Sequence, residues 1–329
     1  MITKLSITNF KSIKQLDIDC KKINLFIGEP NTGKSNILES LALLSWCGQP
    51  QGEALHEYIR FQQVSNLFRD NSVDQAIHIS ADAETTARLW VSFQDDYFHF
   101  CTTPPAQSPD ARCMKAGPYG NVVGDVVIDP EIKNIRFYRF KKTDRYPSIE
   151  SGSLRSPGGT NLFSVVLSSQ TLRETMVEFF RKYGLMLVLK PQERIFELQK
   201  HVDGLIFAYP YALTSDTLQR IIFYTVAMAS NKDSVLVFEE PESNAFPYYT
   251  RYLGKRIASD ETNQFFIATH NPYLLSAIVE KGSQKDVQVF ITYFKDYETR
   301  VRALTPDEVL ELMEGDPFFD LDRFTEKDR

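Results

Sequence analysis

The stretch Gly28-Glu-Pro-Asn-Thr-Gly33-Lys34-Ser35 lies between the apolar run Lys22-Ile-Asn-Leu-Phe-Ile27 and the segment Asn36-Ile-Leu-Glu-Ser-Leu-Ala-Leu-Leu44. Two glycines separated by four residues and followed by Lys and Ser fit a phosphate-binding loop, and a strand running in with a helix running out is its proper context. Gly28 and Gly33 permit a tight loop whose backbone N–H groups face phosphate oxygens. The helix that opens near Lys34 turns its positive end toward the same anion. In that arrangement Lys34 reaches the β- and γ-phosphates and the Ser35 hydroxyl holds Mg²⁺. Asn31, Thr32 and Asn36 complete the set of nucleotide-binding positions. The plain alternative is a glycine turn between a strand and a helix.

A second constellation sits two hundred residues downstream. The apolar strand Ser234-Val-Leu-Val-Phe238 ends in Glu239-Glu240-Pro241-Glu242. A buried strand that delivers two adjacent carboxylates is what a phosphate loop needs beside it: Glu239 to bind Mg²⁺ through water, Glu240 to polarise the attacking water. Alone, the pair reads equally as an acidic loop capping the next helix. Thr269-His270-Asn271 follows the next apolar strand, and a histidine there can sense the intact triphosphate. A lone His at a strand end is as often a packing or surface residue, and its place one strand after Glu240 favours the sensing role.

The rest of the chain is arranged around these motifs. Three short strands are expected before residue 28, with Asn9-Phe10-Lys11-Ser12 as a turn between the first two. An antiparallel meander is expected from Ala76 to Phe100, a surface loop from Thr102 to Gly124, and further strands at Val122–Ile128 and Ile135–Phe140. Helical periodicity follows at Leu172–Tyr183, Glu193–Val202 and Asp216–Ser230. The last third alternates apolar strands and helices, the pattern of a parallel sheet covered on both faces. The division read from this is an N-terminal lobe with the phosphate loop (1–75), inserted strands and loops (76–160), a helical lobe (161–232) and a C-terminal lobe (233–329).

Of 329 residues, 43% are hydrophobic and 24% charged, and the formal net charge is -6, which gives no global basic footprint for nucleic acid. Cys20, Cys47, Cys101 and Cys113 share no metal-type spacing, so a reduced, cytoplasmic setting is the expectation. No apolar run approaches a membrane span, and the N-terminus alternates like a strand.

Taken together, the Asn9-Phe10-Lys11-Ser12-Ile13 turn, the phosphate loop, Phe238-Glu239-Glu240-Pro241-Glu242 and Thr269-His270-Asn271 resemble the ABC-type ATPases of the RecF/SMC/OLD group, most closely the compact OLD-like and RecF-like members. The resemblance implies an α/β fold: a P-loop ABC-type ATPase head with a mixed or parallel core sheet flanked by helices, N-terminal antiparallel strands and an inserted middle segment. It implies ATP and Mg²⁺ as cofactors. It also implies a site completed across a homodimer, the partner supplying a signature stretch that opens a helix. Here Leu213-Thr-Ser215-Asp216-Thr217 matches, with Ser215 facing the nucleotide and Thr217 where such proteins usually carry glycine. Gln62 or Gln63 matches the glutamine that links Mg²⁺ to the inserted lobe. Phe10 and Lys11 match residues that flank adenine or ribose, and read equally as turn residues.

The branch is narrowed by size. No heptad pattern persists, which sets the chain apart from coiled-coil SMC proteins. About sixty residues follow His270, without the paired-acid pattern of a toprim nuclease, and Asp320-Leu-Asp322 lies in a charged tail. The expectation is a stand-alone ATPase that dimerises around ATP and gates a separate effector, a nuclease or toxin, in anti-phage defence. The alternative is a RecF-like clamp in DNA repair, for which Arg136, Arg139, Lys141, Lys142 and Arg145 form the only dense basic run.

Overall fold

The structure is a computed structural model that describes residues 1–49, 53–82, 87–102, 113–124, 132–315, 317–319 and 321–325. The chain opens with a hairpin of β1 (Lys4–Phe10) and β2 (Ile13–Asp19), then β3 (Ile23–Ile27), the glycine loop and α1 (Lys34–Cys47). After the short α2 (Leu55–Tyr58) come β4 (Ile77–Asp82), β5 (Ala87–Gln94), β6 (Tyr97–Cys101), β7 (Cys113–Ala116), β8 (Val122–Val123) and β9 (Ile135–Tyr138). Next are α3 (Leu162–Ser168), α4 (Gln170–Arg181), β10 (Met186–Lys190), β11 (Ile195–Val202), β12 (Leu205–Pro210) and α5 (Asp216–Ser230). The last third is β13 (Val235–Glu239), α6 (Pro247–Ala258), β14 (Gln264–Ala268), α7 (Pro272–Lys281), β15 (Val287–Lys295), β16 (Glu298–Ala303), α8 (Pro306–Glu314) and α9 (Asp322–Thr325).

Three sheets result. The central one has the order β16-β15-β3-β14-β13-β9, parallel except for the edge strand β16. An antiparallel sheet, β2-β1-β4-β5-β6-β7-β8, covers α1 from the other side, and β10-β11-β12 form a small third sheet. Side chains alternate across a strand, so each central strand feeds two cores. Phe26, Val237 and Phe266 point into the core that holds Leu38 and Leu41 of α1 and Leu5 and Ile7 of β1. Leu25, Ile27, Leu236, Phe238 and Ile267 point the opposite way, onto Ile221, Leu253 and Leu274 of α5, α6 and α7. Burial on both faces explains why β3, β13 and β14 read as unbroken apolar runs.

Two buried amides join the N-terminal segment to this sheet. The Gln264 side chain accepts from the Ile2 amide at 2.6 Å and donates to the Ile2 and Lys21 carbonyls, each at 2.7 Å. Asn24 likewise accepts from the Lys21 amide at 2.8 Å and donates to the Lys21 carbonyl at 2.7 Å.

Several expectations are corrected. Glu193–Val202 is not helical: Ile195–Val202 is strand β11, whose Phe196 and Leu198 alternate into the core, and Asp203-Gly204 turns it tightly into β12. The loop expected over Thr102–Gly124 contains β7 and β8, and of Val122–Ile128 only Val122–Val123 is a strand within the described residues. Cys101 and Cys113 stand opposite each other in the β6–β7 register and form a disulfide, so the expectation of four reduced cysteines fails for that pair. Cys20 and Cys47 are free. Of the charged tail, Asp320 lies outside the described residues.

The amide brace makes a direct prediction. Gln264→Ala takes the side-chain partner from the Ile2 amide and carbonyl and leaves the Lys21 carbonyl with Asn24 alone, and should cost roughly 2 kcal/mol or more of stability in denaturant unfolding.

Candidate nucleotide site

The glycine loop lies at the carboxyl end of β3, where the parallel sheet leaves an open edge. Gly33 sits at φ +99°, and a Cβ there would come 1.9 Å from Thr299 Oγ1. A Cβ on Gly28 would come 2.3 Å from the Thr292 carbonyl oxygen. The β15–β16 hairpin therefore closes on the outer side of the loop so tightly that only glycine fits at either position. Thr32 Oγ1 bonds Thr292 Oγ1 at 2.8 Å, and Asn31 takes a left-handed φ of 63°. The Lys34 ammonium is folded back onto the loop, donating to the Gly28 and Glu29 carbonyls at 2.7 Å each. Burial lowers its pKa, with Glu240 and Glu29 opposing the shift. The first turn of α1 carries no acidic residue of its own.

The two acidic positions come from β13, two strands from β3 in the sheet. Burial pushes the Glu239 carboxyl up, but Arg139, a hydrogen bond with Ser35 and Arg60 more than offset it and hold the group below its ordinary value. Ser35 is thus among the groups that favour the ionised form of Glu239, and Arg60 and Arg139 each donate to one of its oxygens. Glu240 sits at a left-handed φ of 43° with its amide on the Ala268 carbonyl at 2.9 Å, which turns its side chain out of the sheet edge. Its Oε1 lies 3.2 Å from His270 Nδ1, and both side chains are open to solvent, at 41% and 60% exposure. The Ser243 hydroxyl donates to the other Glu240 oxygen at 3.1 Å. Asn271 caps α7, accepting from the Tyr273 and Leu274 amides, and so fixes the backbone that carries His270.

Other expected positions are placed differently. Phe10 is completely buried in the core beside α1, bridging to Phe68, so its ring faces no open site. The Lys11 ammonium donates to Glu39 and to the Arg60 carbonyl, and burial lowers its pKa. Phe10 is therefore corrected from a base- or ribose-flanking residue to a core residue, while Lys11 braces Glu39 and the Arg60 carbonyl. Asn36 donates to Ser12 Oγ at 2.6 Å, tying α1 to the first turn. Gln63 is exposed and its amide donates to Asn66; among the described residues no bond takes it to Ser35 or Glu239. Ser215 is the exposed N-cap residue of α5, and its side chain makes no capping bond. Thr217 Oγ1 donates to the Asn244 carbonyl at 3.0 Å.

Sequence reasoning missed four residues. Arg60 and Arg139 each donate to Glu239, at 3.1 and 2.6 Å, and the fully buried Glu39 receives Arg60 Nε at 2.8 Å. Arg60 lies three residues before the glutamine expected to serve this position. Glu39 carried a signal, being a charge on the buried face of an apolar helix. Glu242 is the fourth: burial lifts its carboxyl to about 7, against the pull of a hydrogen bond from Thr269.

Two family models match the chain: AAA ATPase domain over residues 1–97, and "AAA domain, putative AbiEii toxin, Type IV TA system" over residues 142–276. No protein of curated function matches the sequence. Among solved structures, an Smc head bound to the C-terminal winged-helix domain of ScpA is 16% identical, with a TM-score of 0.54 over 93% of this chain and 99% of that one. An Smc head domain with an extended coiled coil, bound to the C-terminal domain of ScpA and derived from Pyrococcus furiosus, is 12% identical, with a TM-score of 0.51 over 95% and 98%. At these identities the likeness is one of fold. No helix among the described residues is long and apolar enough to cross a membrane. The chain thus matches two AAA ATPase-type models over separate parts of its length and has the fold of Smc head domains, with the glycine loop, the carboxylate strand and the histidine strand on one sheet.

Proposed function

We propose that this protein is a Mg²⁺-dependent ATPase that dimerises around ATP and so gates a separate effector, in a defence or toxin-type module. The observation that carries the reading is the Glu240–His270 pair, whose side chains face each other at 3.2 Å at the edge of the sheet that also carries the glycine loop. Gly28, Asn31, Thr32, Gly33, Lys34, Ser35 and Asn36 are the residues that would hold ATP. A hydroxyl and a carboxylate form a donor set that suits a hard cation, so Ser35 and Glu239 would hold Mg²⁺. When bound, Mg²⁺ supplies charge neutralisation on the β- and γ-oxygens. The Lys34 ammonium exchanges the loop carbonyls for phosphate oxygens. Glu240 polarises the water that attacks, and His270 holds Glu240 and the water in line. Ser215 and the N-terminus of α5 from a second copy complete the site, with no requirement for a further domain.

The model that matches residues 142–276 is described with a toxin and a toxin–antitoxin system, which supports the module reading. The RecF-like alternative needs a free basic stripe. Here Arg136 donates to Gln49 at 2.7 Å, Arg139 to Glu239 at 2.6 Å, Lys141 to Glu57 at 3.2 Å and Lys142 to Asp216 at 2.8 Å. Four of the five cations of that run thus face partners within the chain, while Arg145 is exposed, which weighs against a continuous free stripe for a DNA clamp.

Glu240→Gln should cut ATP turnover by about 10²-fold or more while preserving ATP binding. Turnover equal to wild type removes the mechanism. By light scattering, the same variant should pass from monomer to dimer on addition of Mg·ATP. A monomer that binds ATP without change of mass overturns the composite site.

A further inference from the structure

Behind the Glu240–His270 pair lies a third carboxylate that no step above uses. Glu242 is 2% exposed. Its Oε1 accepts from the Thr269 hydroxyl, and its Oε2 is sealed from solvent with no hydrogen-bond partner. The Thr269 hydroxyl in turn accepts from the Asn271 amide at 3.0 Å, immediately before α7. On its own loop, the Glu242 carbonyl accepts from Ala245 N at 2.8 Å, and the Glu240 carbonyl from Ser243 N at 3.0 Å. One buried side chain thus joins the loop after β13 to the loop after β14. Each of those loops delivers one member of the facing pair.

A carboxylate with a buried, unpaired oxygen is a costly way to tie two loops if only the tie matters, because a neutral amide would do the same. The geometry points to Glu242 as a positioning residue for hydrolysis: through Thr269 it holds the His270 loop in register with the Glu240 loop. This rests on the ATPase reading above.

Three ionisable groups face Glu242: Glu240 on its own loop, His270 beyond Thr269, and Tyr224 of α5. Burial raises the carboxyl to about 7; the Thr269 bond and His270 pull it down, and Glu240 pushes it up. The ionised form accepts the Thr269 hydrogen bond more strongly than the neutral acid does, since charge-assisted bonds are the stronger ones. The hold on the His270 loop is therefore firmest above pH 7. Stability runs the other way. Between 4.5 and about 7 the folded chain keeps a proton that the unfolded chain releases, so stability is greatest below 4.5 and falls as pH rises to about 7.

The test compares Glu242→Ala, Glu242→Gln and Thr269→Val with wild type and Glu240→Gln, reading ATP affinity, kcat, melting temperature and hydrogen exchange across residues 268–274. Glu242→Ala and Thr269→Val should lower kcat at pH 8 by about ten-fold or more with ATP affinity held within about two-fold. Exchange at the Asn271 amide should quicken by about ten-fold in both. Glu242→Gln keeps an acceptor for Thr269, so it should restore slow exchange and part of kcat. It should also lose the rise in kcat near pH 7 and the fall in melting temperature between pH 5 and 8. Wild-type kcat and wild-type exchange in the well-folded Thr269→Val overturn the proposal, as does a Glu242→Gln that keeps the full pH dependence. If Glu240→Gln leaves turnover intact, the hydrolysis reading fails by itself. The exchange data then still decide the loop tie: quickened exchange at the Asn271 amide in Glu242→Ala, where the Thr269 hydroxyl is kept, upholds it, and unchanged exchange there overturns it.

Discussion

Everything at the site depends on the pairing of β3 between β14 and β15. That pairing sets Ile23–Ile27 beside Gln264–Ala268 on one side and Val287–Ile291 on the other, all parallel. A phosphate loop from the first tenth of the chain thereby meets carboxylates and a histidine from its last third. Parallel strands carry their connections to one edge, and the carboxyl edge is where the functional loops collect. The strands can hold that register because a shift by one residue would exchange the two cores they feed: Phe26 faces α1, while Leu25 and Ile27 face the helices of the opposite layer. Gln264 and Asn24 add polar fixation at the other end of the same strands, where the N-terminal segment crosses them.

The loop is shaped from outside as much as by its own glycines. Thr292 and Thr299 stand where any Cβ on Gly28 or Gly33 would have to go. Thr299 also bonds Ser12, which accepts from Asn36, so the hairpin, the first turn and α1 are joined through hydroxyl and amide groups. Glu239 is held in a comparable way by Arg60 and Arg139. Two guanidinium groups, one on each oxygen, keep that carboxylate ionised despite burial.

What could be read from the sequence is what local periodicity and spacing encode. The unbroken apolar strands, the helix after the loop and the order of the motifs all follow from residues within ten positions of one another. Partners distant in sequence could not be read. Phe10 looked like a turn aromatic because its burial comes from Phe68 and α1. Arg60 and Arg139 looked like ordinary cations because their partner, Glu239, is 179 and 100 residues away. The error at β11 has a different cause. Glu193-Arg-Ile-Phe-Glu-Leu-Gln-Lys is rich in helix formers, and tertiary burial of Phe196 and Leu198 overrides that preference. The Asp203-Gly204 pair was the available signal for a hairpin. The Cys101–Cys113 bond was hidden for the same reason: only the β6–β7 register brings them opposite each other.

Thr217 gains a physical account from the structure. In the resembling proteins a glycine at this point lets the backbone approach the nucleotide, and a threonine there looks like a loss. Here its hydroxyl is used within the chain, on the carbonyl of Asn244. Asn244 lies in the turn that follows Glu240 and Glu242, at a left-handed φ of 58°. The start of α5 is therefore fastened to the loop that carries the carboxylates, while Ser215, two residues earlier, keeps an exposed hydroxyl at the helix N-terminus. A glycine at this point would lack the hydroxyl and so remove that link.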